Sequence, residues 1–209
     1  MTPPVLPPLL DLMGTGVFAL SGALLAARLR QTMVTMAFFA LVTGVGGGTV
    51  RDLLIDAPVF WIRNPWIAPT CLAMAVVAWI TPGRWWNNRL LDWIDALGLA
   101  AFAVLGSAKA MALGVAPVPA MLMGVVTGCV GGIIRDVLAG VPSILMRPEL
   151  YVTAAALSAL LCTLGMALGL PDGPVWIVAA LAGFLLRAAA LFWKIELPAY
   201  TRGGEPEKD

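Results

Sequence analysis

Two glycine runs beside threonines are the parts of this sequence best suited to bind an ion. The first run is Gly44, Gly46, Gly47 and Gly48, between Thr43 and Thr49, and the second is Gly128, Gly131 and Gly132, after Thr127. Glycine weakens a helix and permits a kink that exposes carbonyl oxygens. Carbonyl and hydroxyl oxygens can replace the water around a monovalent cation. The same glycines also permit close helix packing, which is the alternative interpretation.

Charged residues inside or beside apolar stretches are the second group of candidates. Lys109 lies within a long apolar run. A charge at membrane depth is costly and usually functional, so Lys109 is a candidate gating residue, unless its side chain extends to the surface. The spacing also predicts two structural ion pairs, Asp11 with Arg51 and Asp95 with Arg135.

Several function classes are excluded by what the sequence lacks. It contains no histidine, and its three cysteines lie in apolar stretches without a Cys-x-x-Cys spacing. Catalytic Ser/His and Cys/His pairs therefore cannot be assembled, and we expect neither an enzyme nor a cofactor nor a resident metal. A net charge of +1 without a basic cluster gives no reason to expect nucleic acid binding.

The elements that position these residues are expected to be membrane-spanning helices. Hydrophobic residues make up 60% of the chain and charged residues only 12%. Apolar runs of about twenty residues are typical of helices that cross a bilayer. Charges, prolines and turn residues divide the chain into seven predicted spans, at 9–27, 32–57, 66–81, 93–114, 118–140, 150–169 and 175–194. The fold class is therefore an all-α membrane protein.

An internal repeat organises these spans. A shift of 84 residues without a gap superposes the two glycine runs, and it aligns Asp11 with Asp95, Phe18 with Phe102 and Arg51 with Arg135. Each copy holds three spans, an odd number, so the second copy must enter the membrane from the opposite side. The predicted units are 1–83 and 84–172, two inverted three-helix repeats, then a seventh helix at 173–199 and a mobile tail at 200–209.

The first span of each copy presents a face of small residues with one phenylalanine. We interpret this face as a packing seam that joins the copies, although it would also suit the lining of a pore. In the same way Phe18 and Phe102 either close a hydrophobic constriction or fill the seam, and we favour filling.

Basic residues predict the orientation. Placing the N-terminus outside puts nine Lys and Arg residues on the inner side and two on the outer side. Positive residues concentrate in cytoplasmic loops, so the C-terminus is expected in the cytoplasm.

The two glycine segments also carry a family resemblance. The segments 42–54, Val-Thr-Gly-Val-Gly-Gly-Gly-Thr-Val-Arg-Asp-Leu-Leu, and 126–138, Val-Thr-Gly-Cys-Val-Gly-Gly-Ile-Ile-Arg-Asp-Val-Leu, resemble the repeat motifs of prokaryotic trimeric intracellular cation (TRIC) channels. The resemblance implies a homotrimer in the bilayer of the bacterial inner membrane. Each subunit would hold a pore between glycine-kinked helices two and five that passes potassium and also admits sodium. It also implies that Lys109 occupies the helix whose basic residue is linked to gating.

A transporter is the rival interpretation. Relatives of this repeat are also described as glycine transporters, and a small-solute facilitator would need the same helix breaks. A coupled carrier needs a carboxylate near the middle of the membrane, whereas the acidic residues here lie near predicted helix ends, in loops or in the tail. This placement favours a channel. The animal Lys-Glu-Val motif for phosphoinositide binding does not occur here, so that lipid dependence is not implied.

Overall fold

The computed structural model describes residues 8–81 and 88–198, which form eight α-helices. These are α1 (Pro8–Arg28), α2 (Met33–Leu54), α3 (Phe60–Arg63), α4 (Ile67–Ile80), α5 (Asn88–Ala112), α6 (Pro117–Leu138), α7 (Val152–Ala167) and α8 (Asp172–Trp193). A 3-10 turn, Ile144–Met146, lies between α6 and α7. The predicted boundary at 83/84 and the tail 200–209 fall outside the described residues.

Seven of the helices coincide with the predicted spans, and α3 is a short additional turn. Five of them, α1, α2, α5, α6 and α8, are long and apolar enough to cross a membrane. The other two, α4 and α7, have 14 and 16 residues, or about 21 and 24 Å at the usual helical rise, less than the ~30 Å of a bilayer core. Each occupies the third position in its half of the chain, and each is preceded by a connector.

Capping residues and left-handed backbone mark the ends of α2 and α6. The Thr32 hydroxyl accepts a hydrogen bond from the Thr35 amide and caps α2, whereas Pro117 occupies the first turn of α6, where its missing N–H is not needed. Both helices are followed by a residue with left-handed backbone, Asp56 (φ 51°) and Gly140 (φ 66°), which are 84 positions apart. The two halves therefore stop these helices with the same backbone turn.

The first helices of the two halves pack against each other. The rings of Phe18 in α1 and Phe102 in α5 stack, with centroids 5.2 Å apart and planes inclined by 11°. A Cβ on Gly14 would lie 3.2 Å from the Phe102 ring, and a Cβ on Gly98 would lie 3.1 Å from the Phe18 ring. Each contact therefore recurs with the matching residues exchanged, and the phenylalanines fill the seam.

The outer surface of the bundle is apolar. On α8, Ile177, Leu181 and Leu185 are all more than half exposed. A surface of this kind is unfavourable in water but suits lipid tails. Five apolar helices of spanning length and this exterior identify the chain as a multi-pass membrane protein.

Candidate functional site

The glycine runs bring α2 and α6 together at a crossing. A Cβ added to Gly47 would overlap the carbonyl oxygen of Thr127, and one added to Gly131 would lie 2.5 Å from the carbonyl oxygen of Thr43. Residue 47 thus faces 127 while 43 faces 131, so the helices run antiparallel. Because 47 matches 131 and 43 matches 127 in the repeat, the crossing has the symmetry of a twofold contact.

Both helices remain α-helical through their glycines, from Met33 to Leu54 and from Pro117 to Leu138. The other glycines of the two runs are also filled by neighbours. A Cβ on Gly44 would meet Thr15 and Cys71, one on Gly46 would meet Ile134, one on Gly48 would meet the Phe60 ring, one on Gly128 would meet the Leu99 carbonyl, and one on Gly132 would meet the Tyr151 hydroxyl. In this structure the glycines act through close approach, and they do not interrupt the helix.

The three threonines differ in how their hydroxyls are used. Thr127 donates to the Met123 carbonyl at 2.6 Å. Thr49 donates to the Val45 carbonyl at 2.7 Å and accepts from the Trp61 indole at 3.0 Å. The Thr43 hydroxyl is buried and has no hydrogen-bond partner among the described residues. Of the three threonines, Thr43 is therefore the one whose hydroxyl makes no hydrogen bond within the described part of the chain.

A first group of charges, which we name the Lys109 cluster, consists of Arg51, Asp52, Phe60 and Lys109. Asp52 Oδ1 lies 2.8 Å from both the Lys109 amino group and the Arg51 guanidinium. Asp52 Oδ2 accepts the Phe60 amide at 2.9 Å. Lys109 is 21% exposed and its amino group lies 5.9 Å from the Phe60 ring centroid. The Lys109 amino group is therefore paired within the protein, although part of its side chain stays exposed.

Asp11 is not part of a direct ion pair with Arg51, contrary to the contact expected from repeat symmetry. No ion pair within 4.0 Å joins Asp11 to any residue that the structure describes, although Asp11 interacts electrostatically with Arg51 and Lys109. The two ends differ by Lys109, because Asp52 is shared between Arg51 and this second cation, whereas Arg135 binds Asp136 and Asp95 together.

A second group, the Arg135 cluster, consists of Ser21, Asp95, Arg135 and Asp136. Arg135 lies 2.5 Å from Asp95 Oδ1, so the structure brings this expected pair together. Arg135 also bonds the Ser21 hydroxyl and donates from Nε to Asp136 Oδ1 at 2.9 Å. Asp136 Oδ2 accepts the Ile144 amide at 2.9 Å, as Asp52 does from Phe60 eighty-four residues earlier.

A polar cavity of about 250 Å³ adjoins the Arg135 cluster. Its charged lining comprises Arg28, Asp92, Asp95, Arg135, Asp136 and Arg147. Carboxylates and guanidiniums thus share one cavity at this end of the bundle. Within residues 8–81 and 88–198, no three Asp, Glu or Cys side chains are grouped as metal ligands.

The two clusters lie on opposite sides of the glycine crossing. Arg51 and Arg135 are each about six residues from the centre of the crossing, at 45 and 129, in opposite directions. At the helical rise this places them ~18 Å apart along the bundle. The arrangement puts buried, paired charges on both sides of the crossing formed by glycine backbone.

Sequence reasoning did not identify Asp52 and Asp136 as the centres of these clusters. Asp52 and Asp136 follow the aligned Arg51 and Arg135 and are also 84 positions apart, but only the arginines were assigned partners. The available signal was their fixed position six residues before Pro58 and Pro142, where a carboxylate can accept the amide of a residue beyond the turn.

Comparison with known proteins gives matches along nearly the whole chain. A family described as "Glycine transporter" matches residues 8–82 and 92–167. The UPF0126 membrane protein of Vibrio cholerae is 38% identical over 198 residues, which are 92% of this chain and 82% of that protein. The UPF0126 inner membrane protein YadS of Escherichia coli K12 is 36% identical over 195 residues, 91% of this chain and 94% of that protein.

Solved structures give the same picture. The TRIC trimeric intracellular cation channel orthologue from Rhodobacter sphaeroides is 41% identical, with a TM-score of 0.83 over 90% of this chain and 98% of that one. A trimeric intracellular cation channel from C. elegans with bound Ca2+ is 16% identical with a TM-score of 0.63, over 89% and 91% of the two chains, a likeness of fold alone.

Proposed function

We propose that this protein, which belongs to the Glycine transporter family together with the TRIC channels, conducts monovalent cations, with potassium preferred. The observation that carries the proposal is the α2–α6 glycine crossing with a charge cluster at each end, in a chain 41% identical to a TRIC orthologue. The conducting path runs past the crossing, between the Lys109 cluster and the Arg135 cluster.

The proposed layout is two inverted three-helix repeats and a seventh helix, seven membrane spans in all. The exchanged contacts of Phe18 with Phe102 and of Gly47 with Gly131 support it, because a twofold axis between antiparallel helices lies in the membrane plane. The separate family matches to 8–82 and 92–167 support it too.

The proposed assembly is a homotrimer with one pore in each subunit, in the bacterial inner membrane. The trimeric channel orthologue of Rhodobacter sphaeroides and the inner membrane protein YadS of Escherichia coli support this proposal. With the N-terminus outside, the Arg135 cluster faces the cytoplasm and the Lys109 cluster faces the exterior. We expect no enzymatic activity.

The proposed gate is the ion pair between Lys109 and Asp52. Asp52 keeps Arg51 and the Phe60 amide as partners when Lys109 leaves, so the cluster has two arrangements without an unpaired carboxylate. Lys109 carries a charge within the membrane field, where a full crossing is worth about 2.3 kcal/mol per 100 mV. Opening is therefore expected to depend on voltage.

A second candidate function is the uptake of glycine or another small zwitterion. The observation that favours it is the cavity of about 250 Å³ whose lining combines carboxylates and guanidiniums. Carboxylates suit an ammonium group, and guanidiniums suit a carboxylate.

Single-channel recording in planar bilayers under a potassium gradient tests both candidates. The parent protein is compared with Lys109→Met and with Gly173→Ala, a control position where an added Cβ meets nothing within 4 Å. The channel proposal expects discrete potassium currents in the parent and control, and a weaker voltage dependence in Lys109→Met. Electrical silence together with saturable glycine uptake into liposomes would replace the channel with the transporter.

A further inference from the structure

The last helix carries a buried charge that the proposed conducting path does not use. Arg187 of α8 is 1% exposed, although large apolar residues of the same helix are more than half exposed. A buried guanidinium in a membrane helix is costly unless paired. The burial of Arg187 in the last helix, outside both proposed repeats, therefore has to be explained by its contacts.

Arg187 contacts the connector that leads from α6 to α7. Its guanidinium lies 2.6 Å from Glu149 Oε2, and its central carbon lies 5.4 Å from the ring centroid of Tyr151. The second contact is a cation–π interaction. Both partners lie within the three residues that precede the start of α7 at Val152.

The segment after α8 holds the same connector through its backbone. The Leu197 amide donates to the Pro148 carbonyl at 2.6 Å, and Glu196 forms an antiparallel bridge with Glu149. Side-chain and backbone contacts from α8 and its extension therefore converge on 148–151.

Tyr151 connects this contact to the Arg135 cluster. The Cβ position of Gly132 is 2.9 Å from the Tyr151 hydroxyl and 3.7 Å from both Arg135 and Asp95 Oδ1. The Tyr151 hydroxyl and Asp95 Oδ2 are both buried, and neither has a hydrogen-bond partner among the described residues, so the hydroxyl adjoins the pair without bonding it. In the first half the positions matching Glu149 and Tyr151 are Pro65 and Ile67, which have neither charge nor hydroxyl.

We propose that Arg187 is a positioning residue for the conducting path. It fixes Glu149 and Tyr151, and the Tyr151 hydroxyl in turn fills the space beside Gly132, next to the Asp95–Arg135 pair at that end of the path. The seventh helix thus sets the conformation of the Arg135 cluster and leaves the Lys109 cluster free to change. This inference rests on the proposed cation conduction.

The test combines hydrogen exchange of the assembled protein with potassium flux from liposomes. Arg187→Met keeps the side-chain length and removes the charge, and its partner Glu149 is 29% exposed and can be hydrated. We expect amide exchange in the connector to rise about tenfold and potassium flux to rise by a similar factor, which corresponds to ~1.4 kcal/mol. Arg187→Lys, which retains a cation for Glu149, should restore most of the protection.

Tyr151→Phe separates positioning from a general structural role. It keeps the ring beneath Arg187, so connector exchange should stay at the parent level while potassium flux rises. Leu185→Ala, at a lipid-facing position of the same helix that is 61% exposed, is the control and should change neither reading.

Connector exchange that is unchanged in Arg187→Met, or flux that is unchanged in Tyr151→Phe, would overturn the inference. Should Arg187→Met fail to assemble, Glu149→Gln applies the same two criteria from the exposed partner. If the parent passes no cations, the proposed function fails by itself, and the exchange measurement still decides whether Arg187 holds the connector.

Discussion

The glycine crossing gives a prediction whose size follows from the geometry. In Gly131→Ala the new methyl carbon would lie 2.5 Å from the Thr43 carbonyl oxygen, about 0.9 Å short of the 3.4 Å at which ordinary contact begins. The obstacle is helix backbone, which has no rotamer that could relieve the overlap. The α2–α6 spacing must therefore increase.

Two effects oppose each other in this variant. Alanine favours a helix over glycine by up to about 1 kcal/mol, whereas overpacking a close contact costs about 1–3 kcal/mol. Because a backbone oxygen cannot move alone, we expect the overlap to dominate and the free energy of unfolding to fall by about 1–2 kcal/mol. Gly47→Ala, at the matching position, should behave alike.

Reversible unfolding in mixed micelles measures the change, with Gly173→Ala as the control. The control adds the same methyl group to a helix where nothing lies within 4 Å, so its stability should equal that of the parent or exceed it by up to about 1 kcal/mol. The double variant at 47 and 131 should lose less than the sum, because one displacement of the helices relieves both overlaps. If Gly131→Ala unfolds like the control, close backbone approach is not what the glycines provide.

Two further changes test the C-terminal end of α2. Asp52→Asn should lower the free energy of unfolding by about 3 kcal/mol, since it leaves the buried Arg51 without its carboxylate. Asp56→Asn changes an exposed aspartate nearby and is the control. If the two variants unfold with equal free energies, Asp52 is dispensable for stability. Asp56→Gly should raise the free energy of unfolding by about 0.5–1 kcal/mol, since φ at this position is 51° and glycine adopts it without strain. A lower melting temperature in this variant would show that the Asp56 side chain makes a stabilising contact.

The helices were predictable from sequence because their signals are local. Apolar runs bounded by charges and prolines placed the span 9–27 within α1, Pro8–Arg28, and 66–81 on α4, Ile67–Ile80. The Asp95–Arg135 contact was also within reach, since both residues lie at the same end of neighbouring helices.

The behaviour of the glycine runs was not predictable in the same way. A run of glycines shows that side chains are absent, but it does not show whether the backbone bends there or a neighbouring helix approaches closely. That depends on the partner helix, and here the Thr127 and Thr43 carbonyls fill the space. The kinked conformation of the two helices stays a prediction.

The partner of Lys109 was missed for a different reason. Repeat symmetry assigned Arg51 to Asp11, but Lys109 matches Leu25 and has no counterpart in the other half. Its extra charge changes the pairing at one end only, so Asp52 binds two cations where Asp136 binds one arginine. A symmetric rule cannot predict the position where the symmetry is broken.

The stacking of Phe18 on Phe102 has a consequence for how such a chain could arise. Each ring meets its own counterpart at 5.2 Å, as it would if two separate copies of a half-length chain lay side by side with opposite polarity. Fusion of the two copies converts an association that depends on concentration into contact within one molecule. Once joined, the halves are free to diverge, and a lysine can then occupy one of two formerly identical positions.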